Sequence, residues 1–93
     1  MFYEEKVGSF SGLAKRLRSL DQDAGVRMLG WRGMRKVLVF VTRFEGGYMV
    51  MTYAMKSGGG PGARLQAVRM DVVGKVIEVL RKLAKGRPQA WIY

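Results

Sequence analysis

The amino-acid sequence predicts an α+β protein, in which a three- to four-stranded antiparallel sheet packs with an N-terminal and a C-terminal helix. Apolar residues recur at helical spacing near both ends of the chain. Between them, runs of β-branched and aromatic residues are separated by glycine-rich turns, which is typical of antiparallel strands. Because 93 residues is close to the commonest domain size, we expect one domain over residues 1–93.

Two helices are predicted from apolar stripes. Residues 9–20 place their leucines on one face, with Ser9 or Ser11 as the N-cap. Residues 71–85 carry a wider stripe, with Asp71 as the N-cap. The width leaves two interpretations open, a deeply buried helix or a helix that also packs against a second copy of the chain. We expect a homo-oligomer, a dimer or higher, through residues 71–85.

The strands are predicted between these helices. Residues 36–44 read K-V-L-V-F-V-T-R-F and form the clearest strand, and residues 48–55 return antiparallel to it after the turn E-G-G. Residues 26–32 and 64–69 are the flanking candidates. The run S-G-G-G-P-G at residues 57–62 is predicted to be a loop, and we favour a mobile connection over a clamp for a ligand backbone.

The turn of the central hairpin decides which side chains share a face. If the loop is Gly46-Gly47, Phe40 shares a face with Tyr53, and Tyr48 lies on the other face. If the loop has three residues, Phe40, Phe44 and Tyr48 share an aromatic face, and valines and methionines form the other. We favour the three-residue loop, because it turns an aliphatic face towards the helices.

Charge is the most informative feature of the composition. Seventeen Lys and Arg residues against seven acidic ones give a net charge of +10. A small protein with this excess suits a polyanion, most often nucleic acid. The densest basic stretch is residues 26–36, where four cations and no acid surround Trp31.

Several classes are excluded or disfavoured. The chain has no Cys and no His, so disulfides, thiolate zinc sites and imidazole catalysis are excluded. We expect a binding protein without enzymatic activity, cofactor or metal. The N-terminal charge order is unlike a signal peptide and no apolar run is long enough to span a bilayer, so we expect a cytoplasmic protein with no membrane partner. The lack of Cys and Asn indicates a thermophilic source, although seven methionines do not fit that pattern.

The candidate binding residues combine the aromatic and basic side chains of the hairpin region. Bases of single-stranded nucleic acid stack on aromatic rings for about 1–3 kcal/mol each, and the phosphates pair with cations. Trp31 is the best single stacking residue, because arginines flank it on both sides. The alternative is that these rings fill the core. The predicted site residues are Arg27, Trp31, Arg32, Arg35, Lys36, Phe40, Arg43, Phe44, Tyr48 and Tyr53.

With a helix, a basic strand, the hairpin V-L-V-F-V-T-R-F, a glycine loop and a C-terminal helix in that order, the chain resembles the ThermoDBP-related proteins. These are archaeal single-stranded DNA-binding proteins of hyperthermophiles. The resemblance covers most of residues 9–85 and implies a small antiparallel sheet with helices that assembles as dimers or higher. Residues 34–84 also resemble the single-stranded DNA-binding core of the positive-cofactor transcription coactivators, which lacks the N-terminal helix.

Both resemblances imply the same chemistry as the residues themselves. We expect a protein that binds single-stranded DNA or unfolded RNA with little sequence preference, because stacking tolerates any base. The alternative is a small basic structural or interaction subunit of a ribonucleoprotein or transcription assembly, with its aromatic side chains facing a protein partner.

Overall fold

The computed structural model describes residues 4–93, and within them six strands form a single antiparallel sheet flanked by two helices. In chain order the elements are β1 Glu5–Val7, α1 Phe10–Arg18, β2 Gly25–Arg32, β3 Arg35–Phe44, β4 Gly47–Met55, β5 Pro61–Met70, α2 Val73–Leu83 and β6 Gln89–Ile92. The sheet order is β1-β6-β2-β3-β4-β5. The α+β class is confirmed, but the expected number of three to four strands is wrong.

The core lies between one face of the sheet and both helices. Val26, Val39 and Val41 of the central strands are fully buried there, as are Leu13 of α1 and Leu80 of α2. Each such side chain contributes about 1.5–3 kcal/mol by leaving water. Successive side chains of a strand point to opposite faces, so every second residue of β2, β3 and β4 lies in the core and the others lie on the opposite face.

The two missed strands are the short ones at the ends of the chain. The C-terminal one is β6, which docks on the sheet. This strand is inserted between β1 and β2 and pairs with both. A segment of four residues has little strand preference of its own, so hydrogen bonds to both neighbours stabilise it.

The helix ends follow the prediction at α1 and depart from it at α2. Ser9 caps α1 by accepting a hydrogen bond from the N–H of Gly12 at 3.1 Å. The N-cap of α2 is Val72, which provides no side-chain cap, so the assignment of Asp71 as N-cap is wrong. The carboxylate of Asp71 instead forms an ion pair with Arg69. None of the helices within residues 4–93 is long and apolar enough to cross a membrane.

The favoured pairing of the central hairpin is also wrong. Phe44 lies opposite Gly47, so the loop consists of Glu45 and Gly46. Both have positive φ angles, of 47° and 77°, as the twisted two-residue turns of hairpins require. The faces are therefore those of the rejected two-residue alternative, although its loop residues differ, and Tyr48 points towards the helices.

Candidate nucleic-acid interface

The sheet face opposite the helices, which we call the open face, collects aromatic and basic side chains from all six strands. Its side chains include Lys6, Arg27, Leu29, Trp31, Lys36, Leu38, Phe40, Thr42, Phe44, Met49, Met51, Tyr53, Met55, Arg64, Ala67, Arg69, Gln89 and Trp91. Five of these are aromatic and five are basic, and two acidic side chains reach them in ion pairs, Glu4 with Arg27 and Asp71 with Arg69. Both helices pack on the other face, so the open face has solvent above it in the described part of the chain.

An aromatic groove lies at the centre of the open face. The rings of Phe40 and Tyr53 meet edge to face, with their centroids 5.6 Å apart at an angle of 84°. Together with Met51, Pro61 and Tyr93 they line a depression of about 290 Å³. Both rings are half-buried, so their accessible surfaces are held in place by packing rather than free to turn.

Tyr93 closes one side of the aromatic groove. Its ring lies across Gly25, where an added Cβ would come within 2.5 Å of the ring atoms. The backbone N–H and carbonyl groups of these two residues are bonded to each other at 3.0 Å. Burial raises the pKa of the Tyr93 phenol, and the negative charge of Glu4 raises it further. The Tyr93 phenol therefore stays uncharged up to a higher pH than a fully exposed tyrosine.

Both tryptophans of the chain lie on the open face with cations over their rings. The guanidinium of Arg27 is 4.6 Å from the ring centroid of Trp91. The ammonium groups of Lys36 and Lys85 are 5.4 and 4.9 Å from that of Trp31. A cation over an exposed ring contributes about 0.5–1 kcal/mol, whereas a stacked base contributes about 1–3 kcal/mol. A base can therefore replace a cation on either ring, and the displaced cation remains close enough to pair with a phosphate.

Arg27 is held by an exchangeable partner. Its guanidinium forms an ion pair with Glu4 at 2.7 Å, and both side chains are partly exposed. Pairs of this kind contribute about 0–1 kcal/mol. A phosphate oxygen, which forms a stronger bidentate contact with arginine, can take the place of this carboxylate.

Six of the ten predicted site residues come together on the open face. These are Arg27, Trp31, Lys36, Phe40, Phe44 and Tyr53. Arg32 and Arg35 face each other at the tip of the β2–β3 hairpin and project from the opposite side of the strands.

Tyr48 and Arg43 lie on the helix-covered face and do not join the others. Tyr48 is only 2% exposed, and its hydroxyl donates a hydrogen bond to the carbonyl of Leu17 at 2.7 Å. Arg43 stacks on the Tyr48 ring and donates to the carbonyls of Leu20 and Arg18 at 3.1 and 3.0 Å. Both side chains thus hold the C-terminal end of α1. Tyr48 was placed on the aromatic face by the three-residue turn, whereas Arg43 was included as a basic residue of the hairpin.

Several residues of the open face were missed by the sequence analysis. Trp91 and Lys6 lie on the two strands that were not predicted, and they are direct neighbours there. Residues 90–93 read A-W-I-Y, with no apolar–polar alternation, and their alternation between buried and more exposed positions appears only in the folded sheet. That alternation is the period of a strand with one buried face.

No protein-family model, no curated protein and no solved structure matches this chain. The resemblances drawn from the sequence therefore stay predictions.

Proposed function

We propose that this protein binds single-stranded nucleic acid on the open face of its sheet. The observation that supports this most directly is the pairing of rings with cations. Trp31 and Trp91 each have a cation within 5.4 Å of the ring centroid, on a face where basic side chains outnumber acidic ones. Successive bases would stack on these rings and in the aromatic groove, while the cations pair with the intervening phosphates.

The same geometry favours single strands over duplex. In a duplex the faces of the bases are already stacked on one another, so half-buried rings on a sheet have nothing to contact. Binding should be weakly selective for sequence, because every base has a face that can stack. DNA and RNA both meet this requirement.

The two tryptophans make the proposal directly testable, because both belong to the open face. Titration with a single-stranded oligonucleotide should quench tryptophan fluorescence and shift both indole N–H signals in an NMR spectrum. The amides of Ala14 and Val79, on the helix side, serve as internal controls and should not move. The duplex of the same sequence should compete poorly at physiological salt. Equal or stronger duplex binding would contradict stacking and indicate a purely electrostatic site.

A second candidate function is a protein-binding subunit of a larger assembly. The observation in its favour is the row of methionines on β4, Met49, Met51 and Met55, which all lie on the open face. Methionine forms adaptable apolar surfaces of the kind that accept protein partners. Failure of both single strand and duplex to bind would favour this candidate.

A further inference from the structure

A second concave surface lies at one end of the sheet, where the tip of the β2–β3 hairpin approaches the loop between β4 and β5. We call it the basic cavity and define it by Arg32, Arg35, Lys36, Lys56, Val37 and Leu65. Its volume of about 630 Å³ is within the range of small-molecule sites. It is more than twice the size of the aromatic groove.

The charge of this cavity is its first distinguishing property. Arg32 comes from the end of β2, Arg35 and Lys36 from the start of β3, and Lys56 from the residue after β4. No Asp or Glu is among the described residues that line it. By contrast, the cavity beside Arg43 contains two acidic side chains. Four cations around one cavity repel each other, so an anion that enters it gains attraction from several sides at once.

The second property is an apolar wall. The register between β4 and β5 shifts at Tyr53, which leaves Leu65 as an extra residue in a β-bulge. Leu65 is 43% exposed and lines the basic cavity together with Val37 and Met55. An apolar wall beside clustered cations suits an amphipathic anion, and a nucleotide, with a flat base and a phosphate, has that character.

The third property is the order of the glycine loop. The N–H of Lys56 bonds the carbonyl of Gly60 at 3.0 Å, and the N–H of Gly59 bonds the carbonyl of Lys56 at 2.9 Å. Gly59 and Gly60 have φ angles of +87° and +80°, which glycine adopts without strain. Two backbone hydrogen bonds therefore close the loop, and Lys56 and Ser57 both line the cavity.

The basic cavity is continuous with the open face through Lys36. This side chain lines the cavity and also has its ammonium group 5.4 Å from the ring centroid of Trp31. A strand whose base stacks on Trp31 therefore passes Lys36 and reaches Arg32 and Arg35 by turning over this end of the sheet.

We infer that the basic cavity receives a nucleotide bearing a phosphomonoester, such as the phosphorylated end of a strand bound on the open face. A phosphomonoester carries a charge of about −2 at neutral pH, whereas an internal phosphodiester carries a single charge, so four cations favour the former. For a strand end the inference rests on the proposed function. A free mononucleotide presents the same chemistry without it.

Competition between oligonucleotide ends tests the inference. An internally labelled single strand is displaced by unlabelled strands of one sequence that end in a 5′-hydroxyl, a 5′-phosphate or a 3′-phosphate. We expect one phosphorylated end to bind about tenfold tighter than the hydroxyl end, the effect of one added charge-assisted hydrogen bond. The variants Arg35→Gln and Lys56→Gln should bring this ratio close to unity. Lys75→Gln, which removes an exposed charge from α2, should leave the ratio unchanged.

The outcomes separate the inference from the proposed function. Equal affinity for all three strands would overturn the inference and leave binding on the open face standing. A ratio that falls equally in Lys75→Gln would also overturn it, because the preference would then reflect net charge alone.

If no strand binds at all, the proposed function fails and a mononucleotide decides the inference. Thymidine monophosphate should then shift the amide signals of Val37 and Leu65, and thymidine without its phosphate should not. The absence of shifts with thymidine monophosphate would overturn the inference as well.

Discussion

The indole of Trp31 is half-buried on the open face, with two ammonium groups over it. We expect Trp31→Ala to weaken binding of a single strand by about 1–3 kcal/mol, because one stacked base loses its ring. Phe10→Ala is the matched control, since Phe10 is also half-buried under a cation, Arg81 at 4.6 Å, but lies on α1. Anisotropy titrations of both variants, with folding checked by circular dichroism, measure the difference. Equal losses of affinity would remove Trp31 from the site.

Tyr48 tests the assignment of faces from the opposite side of the sheet. Its hydroxyl is buried and donates to the carbonyl of Leu17, which also accepts the N–H of Leu20 at 3.3 Å. Tyr48→Phe should therefore lower the free energy of unfolding by about 1 kcal/mol, the usual contribution of one hydrogen bond. Affinity for a single strand should not change. Weaker binding at unchanged stability in urea would mean that Tyr48 faces the ligand after all.

The turn between β3 and β4 shows where sequence reasoning reached its limit. The alternation in both strands was readable, and it fixed which side chains share a face within each strand. Which face of β4 lies beside a given face of β3 depends on whether the loop has two or three residues, and E-G-G is compatible with both. The decisive fact is that Glu45 adopts a positive φ, which glutamate seldom does. Six of the ten predicted site residues nevertheless share the open face, because the faces of β2 and β3 did not depend on the turn, and Tyr53 of β4 joins them through the two-residue turn.

Of the two residues in this turn, Gly46 is the one that adopts a positive φ without strain. Its φ of +77° is unfavourable for any residue with a Cβ, although no atom lies within 4 Å of the position that a Cβ would take. We expect Gly46→Ala to lower the free energy of unfolding by about 1–2 kcal/mol through backbone strain alone. Gly58→Ala, which has equal space and no positive φ, is the control and should change stability little. Thermal melts compare the two variants. Identical melting temperatures would contradict the two-residue turn.

Strands β1 and β6 could not be predicted from their own residues, for a different reason. Each has four residues or fewer, so intrinsic preference contributes little. Their order comes from pairing between the two ends of the chain, Lys6 opposite Trp91 and Val7 opposite Ala90. Such contacts are remote in sequence and become visible only when the whole sheet is assembled. The pairing of β6 with β2 then brings Trp91 beside Arg27 and completes the open face.

Self-association through residues 71–85 was predicted from the width of their apolar stripe. Most of that width is used within the chain, because Val73 and Val79 pack against the core. Val72, at 55% exposure, is the apolar side chain in this range that remains available to a partner. If two copies associate here, Val72→Lys should reduce the sedimenting species to the single-chain mass of 10.5 kDa. A single-chain mass for the unsubstituted protein would contradict the predicted dimer.

The net charge of +10 attracts any polyanion to the whole surface. Variants that each remove one cation show which side chains contact the strand, because only those should change the salt dependence of binding. Each phosphate neutralised on a single strand contributes about 0.7 to the slope of log K against log salt. Arg27→Gln and Lys36→Gln should each reduce that slope by about this amount, because both side chains stand beside rings on the open face. Lys75→Gln removes the same charge from the helix side and should leave the slope unchanged. Equal reductions in all three variants would show that the strand is held by net charge and has no fixed path across the sheet.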